Sequence, residues 1–105
     1  MHCFSGDAAF ARACLDRGAY LSFAGTVTFK NAQPLRDALA ITPRDRVLVE
    51  TDAPFLTPTP YRGRPNASYL VPLTMRLMAE VRDDDLADLC ACVDANTEEA
   101  FGGSW

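Results

Sequence analysis

The sequence predicts an α/β fold made of three consecutive βα units. The order of strand, polar loop and helix recurs three times within 105 residues, and residues 47–49 (Val-Leu-Val) form the β-branched run that is typical of a strand buried on both faces of a parallel sheet. Units in this order imply parallel strands with right-handed crossovers. Because a (β/α)8 barrel needs about 250 residues and a doubly wound sheet usually has more than three strands, we expect the chain to be part of a larger fold.

The first unit starts at the N-terminus, where residues 1–4 are predicted to form a short strand. Residues 5–7 (Ser-Gly-Asp) supply helix N-cap side chains, and apolar residues recur at spacings of three and four over residues 8–17. This spacing predicts a helix. Gly18 stands where the C-terminal cap of that helix belongs.

The second unit has β-forming residues at 19–23 and a long loop with an early glycine at 24–31. Its helix is predicted to start at Pro34, because proline is favoured in the first turn, and apolar side chains follow it at helical spacing. The third unit begins with the strand at 47–49.

The chain after the third strand is predicted to form a proline-rich loop over residues 55–68 and then two helices. A run of three aspartates, residues 83–85, ends the first helix and caps the second, which ends at Gly102. The first helix, residues 69–82, has its predicted apolar face at Leu70, Leu73, Leu77 and Val81. The predicted core face of the last helix consists of Leu86, Leu89, Val93 and Phe101.

Charge, hydropathy and cysteine spacing exclude several classes of protein. Ten Lys and Arg residues against 14 Asp and Glu residues give a net charge of −4, which argues against a domain that holds polyanions by bulk charge. No run approaches the roughly 18 apolar residues of a membrane span, and no secretory signal is visible, so we expect a cytoplasmic protein that does not bind membranes. The cysteine spacings match no CxxC pair or zinc ribbon, which predicts reduced thiols at Cys3, Cys14, Cys90 and Cys92.

Polar clusters follow all three predicted strands, at the end of the sheet where the functional groups of α/β folds gather. They are His2, residues 25–31, and residues 50–52 (Glu-Thr-Asp). Imidazole and carboxylate groups are ligands for a catalytic divalent cation, and a carboxylate beside a metal can accept a proton from bound water. We expect His2 and Asp52 to converge, from adjacent strands, on a polar pocket floored by Gly25 and Thr26.

Each of these residues also has an ordinary structural alternative. A single histidine near a chain end is usually solvated, and an aspartate after an apolar strand commonly caps a turn. The cations that could bind phosphate are more often solvated surface residues; they are Lys30, Arg62 and Arg64.

Four motifs, in order along the chain, resemble the TatD family of metal-dependent deoxyribonucleases. They are HCFSG at residues 2–6, YLSFAGTVTFKNA at 20–32, LVETDAPFLTP at 48–58 and YRGRPN at 61–66. The resemblance extends to Phe101.

The resemblance implies a (β/α)8 TIM barrel of the amidohydrolase type that holds a divalent metal, Mg²⁺, Mn²⁺ or Zn²⁺, at the carboxyl ends of its strands. By this comparison His2 is a metal ligand from the sixth strand, and Asp52 is a ligand or proton acceptor at the eighth. The family's other ligands are a His-x-His pair, a Glu and a further His, and this chain has one histidine. Residues 1–105 therefore resemble the last three βα units of an incomplete barrel.

Two departures from the family pattern accompany this incompleteness. Family members often carry proline where this chain has Ala67-Ser68, and the family strand would extend upstream of His2. A partial gene, or a misassigned start with Met1 as an internal methionine, would account for the departures together.

The leading hypothesis for function is a fragment of a metal-dependent phosphodiesterase acting on DNA, inactive on its own. The metal would activate water for attack on phosphorus, Asp52 would accept the water's proton, and His2 would hold the metal as neutral imidazole. The residues that would position the substrate phosphate are Glu50, Lys30, Arg62 and Arg64.

Two alternatives stay open. One is a metal-dependent ester or amide hydrolase, such as an aminoacyl-tRNA deacylase, because fold does not determine function. The other is a non-catalytic half-barrel remnant. Half a barrel exposes strand edges and apolar surface, so the expected partners, besides DNA, are the missing barrel half or a second copy of the chain.

Overall fold

The computed structural model describes residues 2–51, 58–61, 65–67 and 70–102. These residues form an α/β structure in which helices pack against a short parallel sheet. The strands are β1 (Leu21–Phe23) and β2 (Val47–Val49). The helices are α1 (Ala8–Leu15), α2 (Gln33–Ile41), α3 (Val71–Arg82) and α4 (Leu86–Phe101), and short 3₁₀ turns occupy Gly25–Thr28 and Arg44–Arg46.

β1 and β2 pair in parallel with Leu21 opposite Val47 and Phe23 opposite Val49. This register confirms the parallel pairing predicted for the second and third units, which α2 connects. Val47 is buried, whereas Leu48 and Val49 are half-buried. The prediction of a strand buried on both faces is therefore wrong for β2, because Leu48 lines one open cavity and Val49 also lines a second one.

The predicted first strand is not formed by residues 2–4, although the segment lies along the sheet. The Phe4 N–H donates to the Ser22 carbonyl at 2.8 Å, while the next carbonyl of β1, that of Phe23, accepts from Glu50. Successive carbonyls of a strand point to opposite edges, so the N-terminal segment lies on the edge of β1 away from β2. Cys3 has a φ of +46°, which is incompatible with a continuous strand.

α1 and α2 begin where their capping residues predict. The Asp7 carboxylate accepts a hydrogen bond of 2.9 Å from the Phe10 N–H at the start of α1, and Pro34 lies in the first turn of α2. α1 ends at Leu15, and the chain reverses at Gly18, whose φ of +81° suits glycine.

The apolar faces of α3 and α4 differ from the sequence prediction. The predicted stripe of α3 is only half-buried, because α3 packs against α2, α4 and the first 3₁₀ turn and turns a neighbouring face inward. The side chains that this face buries are Thr74, Met75, Met78 and Ala79. On α4, Leu89 and Val93 are buried as predicted, whereas Leu86 is 38% exposed and Phe101 is 66% exposed. Phe101 and Leu86 each line an open cavity and do not pack in the core.

None of the four cysteines forms a disulfide, in agreement with the reduced thiols that their spacing predicts. Cys14 packs, half-buried, against the core, and Cys90 is exposed. Of the helices within the described ranges, none has both the length and the apolar character that crossing a membrane would require.

Candidate metal centre

His2 and Glu50 meet at the carboxyl ends of the strands. His2 Nδ1 lies 3.0 Å from Glu50 Oε1, and the other carboxylate oxygen, Oε2, accepts a 2.7 Å hydrogen bond from the Cys3 N–H. The Glu50 side chain is 13% exposed, whereas that of His2 is 78% exposed. One nearly buried carboxylate therefore contacts two consecutive residues of the N-terminal segment.

The local structure explains why Glu50 reaches this position. β1 lies between the two segments, and the backbone N–H of Glu50 donates to the carbonyl of Phe23, the last residue of β1. Side chains alternate along a strand, so Leu48 and Glu50 share a face of the sheet. Together with Ser22 and His2 they line a cavity of about 530 Å³. Glu50 thus points into this cavity. β1 lies between the N-terminal segment and β2, so these two segments are not adjacent in the sheet. Asp52, expected to meet His2 from an adjacent strand, lies outside the described residues.

The chemistry of the pair is compatible with a divalent cation. Glu50 Oε1 is buried and accepts no hydrogen bond from the described residues, although His2 Nδ1 lies 3.0 Å away. An unpaired buried carboxylate oxygen favours a cation or a donor nearby. Within the described ranges, no group of three or more His, Cys, Asp or Glu side chains is gathered to hold a metal.

Asp52, Arg62 and Arg64 lie outside the described residues, and their assigned roles stay predictions. Thr51, the residue before Asp52, has its backbone carbonyl hydrogen-bonded, because the Asn66 side chain donates to it at 2.6 Å. Asn66 is 7% exposed. From the sequence, no role was assigned to Asn66, although its position within the YRGRPN motif marked it as a candidate.

Lys30 is exposed on the loop after β1 and does not line the cavity that contains His2. The loop is shaped by Arg36, whose guanidinium donates to the carbonyls of Phe29 at 2.6 Å and Val27 at 3.2 Å. Thr28 links this loop to the one after β2, because its hydroxyl accepts a 2.8 Å hydrogen bond from the Thr59 N–H. The structure therefore does not bring Lys30 next to His2.

The expected pocket floor of Gly25 and Thr26 is wrong for the His2 cavity. The chain turns directly after β1 into a 3₁₀ turn that packs against α3, and this buries Gly25. Thr26 instead lines a separate cavity of about 510 Å³ together with Cys3 and Asp7.

Comparison with known proteins identifies relatives along almost the whole chain. Residues 1–102 match the family model described as TatD related DNase. The chain is 45% identical over 105 residues to the metal-dependent hydrolase TatD of Mycobacterium tuberculosis, and 41% identical over 101 residues to the metal-dependent hydrolase YabD of Bacillus subtilis. These alignments cover 100% and 96% of the chain, respectively.

Solved structures share the fold. The crystal structure of YjjV, a TatD homologue from Escherichia coli, matches 93% of the chain with a TM-score of 0.87 and 28% identity. A TatD-family hydrolase from Entamoeba histolytica matches 91% of the chain with a TM-score of 0.80 and 16% identity, which is a likeness of fold alone. The chain spans 40% of the length of both curated relatives, and 38% of the YjjV chain.

Proposed function

Because the chain belongs to the TatD-related DNase family, we propose that it is a fragment of a metal-dependent hydrolase that cleaves phosphodiester bonds of DNA. The observation that carries the proposal is the meeting of His2 and Glu50 at the carboxyl ends of parallel strands, 3.0 Å apart and beside an open cavity. This is the end of α/β sheets where catalytic residues gather. The proposed location is the cytoplasm.

The proposed placement of the chain is the last three βα units of a (β/α)8 barrel. The order of the N-terminal segment, β1 and β2 across the sheet follows their order along the chain, which supports consecutive units of a barrel. Their placement as the last three units rests on the resemblance of the motifs at residues 2–6 and 48–58. The chain aligns with about two fifths of the length of its relatives, and the remaining three fifths is long enough for the other five βα units. We propose that these units cover the cavity face, where Tyr20, Leu48 and Phe101 are incompletely buried.

His2 and Asp52 would hold the metal, with the remaining ligands supplied by the rest of the barrel. When bound, the divalent metal would lower the pKa of a water and stabilise charge on the phosphate. His2 would contribute a neutral imidazole nitrogen, and Asp52 would accept the proton of the attacking water. Contacts to the substrate phosphate are proposed for Lys30, Arg62 and Arg64; Glu50, first predicted to share this role, has its carboxylate against His2 and Cys3.

The test joins this chain to the upstream βα units of its reading frame and measures DNA cleavage against metal concentration. His2→Ala should weaken metal binding, so that excess metal restores part of the rate. Asp52→Asn should lower turnover by about 10²- to 10⁴-fold even at saturating metal, because an amide cannot accept the proton.

Asp94→Asn, an exposed change on α4, is the matched control and should leave cleavage unchanged. If added metal fully restores the cleavage rate of Asp52→Asn, Asp52 is a metal ligand and not a proton acceptor. Hydrolysis of aminoacyl esters without cleavage of DNA would replace the proposed substrate.

A further inference from the structure

We propose that Glu50 is a positioning residue that holds His2 in the tautomer with Nδ1 protonated, leaving Nε2 free for a divalent cation. The inference rests on the proposed function of His2 as a ligand. It gives Glu50 a role that is distinct from contact with substrate.

The first argument is the double contact made by a single carboxylate. Oε2 accepts from the Cys3 backbone N–H at 2.7 Å, and Oε1 lies 3.0 Å from His2 Nδ1. The hydrogen bond to the backbone next to the histidine fixes where His2 lies relative to Glu50, and the second carboxylate oxygen lies beside the ring nitrogen. Histidines that bind metals generally donate the second ring N–H to such a partner, which determines their tautomer.

The second argument is the rigidity of Glu50 compared with His2. The Glu50 backbone is tied to β1 through the Phe23 carbonyl at 3.0 Å, and its side chain is almost buried. The His2 ring is 78% exposed, and within the described part of the chain its polar contact is with Glu50. The buried, backbone-anchored carboxylate is therefore the group that orients the exposed ring.

The third argument is the unpaired oxygen. Glu50 Oε1 is buried and lacks a hydrogen-bond donor among the described residues, although His2 Nδ1 is within bonding distance. Leaving a buried acceptor unpaired is unfavourable, and an Nδ1–H turned toward Oε1 would satisfy it. The competing arrangement, in which Glu50 itself binds the cation, does not require a proton on Nδ1.

The experiment uses the fact that the chain has one histidine. In the ¹⁵N-labelled 105-residue chain at about pH 8, where an ordinary imidazole is neutral, two-bond ¹H–¹⁵N correlations report which ring nitrogen of His2 carries the proton. We expect a protonated Nδ1 in the wild-type chain. Glu50→Gln and Glu50→Ala should shift the ring toward a mixture of tautomers, whereas Glu99→Gln, an exposed change on α4, should not.

Titration with Zn²⁺, followed through the same ring signals, is the second measurement. Loss of the Glu50 carboxylate should weaken Zn²⁺ binding by about 10- to 100-fold, the usual cost of removing such a partner. An unprotonated Nδ1 in the wild-type chain would overturn the proposal even if both variants fail to fold. Unchanged tautomer and Zn²⁺ affinity in a folded variant would also overturn it. Neither readout involves DNA, so failure here is distinct from failure of the proposed activity.

Discussion

The Asn96 side chain on α4 donates a 2.9 Å hydrogen bond to the carbonyl of Val47, the first residue of β2. The same amide nitrogen donates to the Arg44 carbonyl at 2.6 Å, and Asn96 is 5% exposed. A single buried side chain thus joins the last helix to the start of the second strand and to the turn before it. The bond reaches across 49 residues of the chain.

Replacing Asn96 by alanine should destabilise the fold. The change leaves two carbonyls without their donor, and each unpaired buried group costs about 1–3 kcal/mol. We expect the free energy of unfolding, measured by urea denaturation with circular dichroism, to fall by about 2–4 kcal/mol. Asp94→Ala, on the exposed side of the same helix, is the control and should change it by less than about 0.5 kcal/mol. Equal losses in the two variants would contradict the proposed link.

Asp84 should make stability depend on pH. Its carboxylate accepts from Arg82 Nε at 2.8 Å and from Arg44 Nη2 at 2.7 Å, and the hydrogen bond from Arg82 is the main reason that the pKa of Asp84 is below its ordinary value. A lowered pKa in the folded state contributes stability above the unfolded-state pKa of about 3.9. This contribution is lost as the pH falls through the folded-state pKa.

Asp84→Asn should therefore lower the free energy of unfolding at pH 7 by about 2 kcal/mol, the value of hydrogen bonds to a charged group. The difference between wild type and variant should shrink as the pH falls below about 3.9. Asp83→Asn is the matched control, because Asp83 is exposed and its left-handed backbone (φ +55°) suits asparagine. A difference that is constant with pH would show that the Asp84 carboxylate does not act through its charge.

Gly6, the glycine of the HCFSG motif, is expected to be needed for packing. A Cβ at this position would overlap Cδ2 of Phe10 and lie 3.0 Å from Cζ of Phe4, and these two rings stack with centroids 5.8 Å apart. Gly6→Ala should lower the free energy of unfolding by about 1–3 kcal/mol, as overpacking does. The loss should be smaller in a Phe10→Ala background, where the nearest atom, Phe10 Cδ2, is gone. Ser5→Ala, an exposed neighbour, serves as control.

The isolated chain is expected to have little or no nuclease activity. His2 is its one histidine, and His2 with Asp52 would leave most of a metal's coordination sphere to water. The measurement is cleavage of DNA by rigorously purified chain with Mg²⁺, Mn²⁺ or Zn²⁺. Metal-dependent cleavage that disappears in Asp52→Asn would show that the chain assembles a working site without further units.

Local features of the fold were predictable because their causes lie within a few residues. Asp7 and Asp85 cap α1 and α4 through bonds to N–H groups three residues ahead, and Gly102 takes the left-handed conformation at the end of α4. The strand at residues 47–49 has the β-branched composition that favours extended backbone. Such signals depend on spacing along the chain alone.

The family could also be identified from four ordered motifs, and the sequence named His2 and Glu50 as candidates. That these two side chains meet became visible in the folded chain alone, because 47 residues, including the whole of β1, lie between them. It also decided which face of α3 is buried and left Phe101 exposed, because burial depends on the neighbouring elements and not on helical spacing. Side-chain contacts between distant segments depend on which strands pair and in what order. No local stretch of the sequence specifies that pairing.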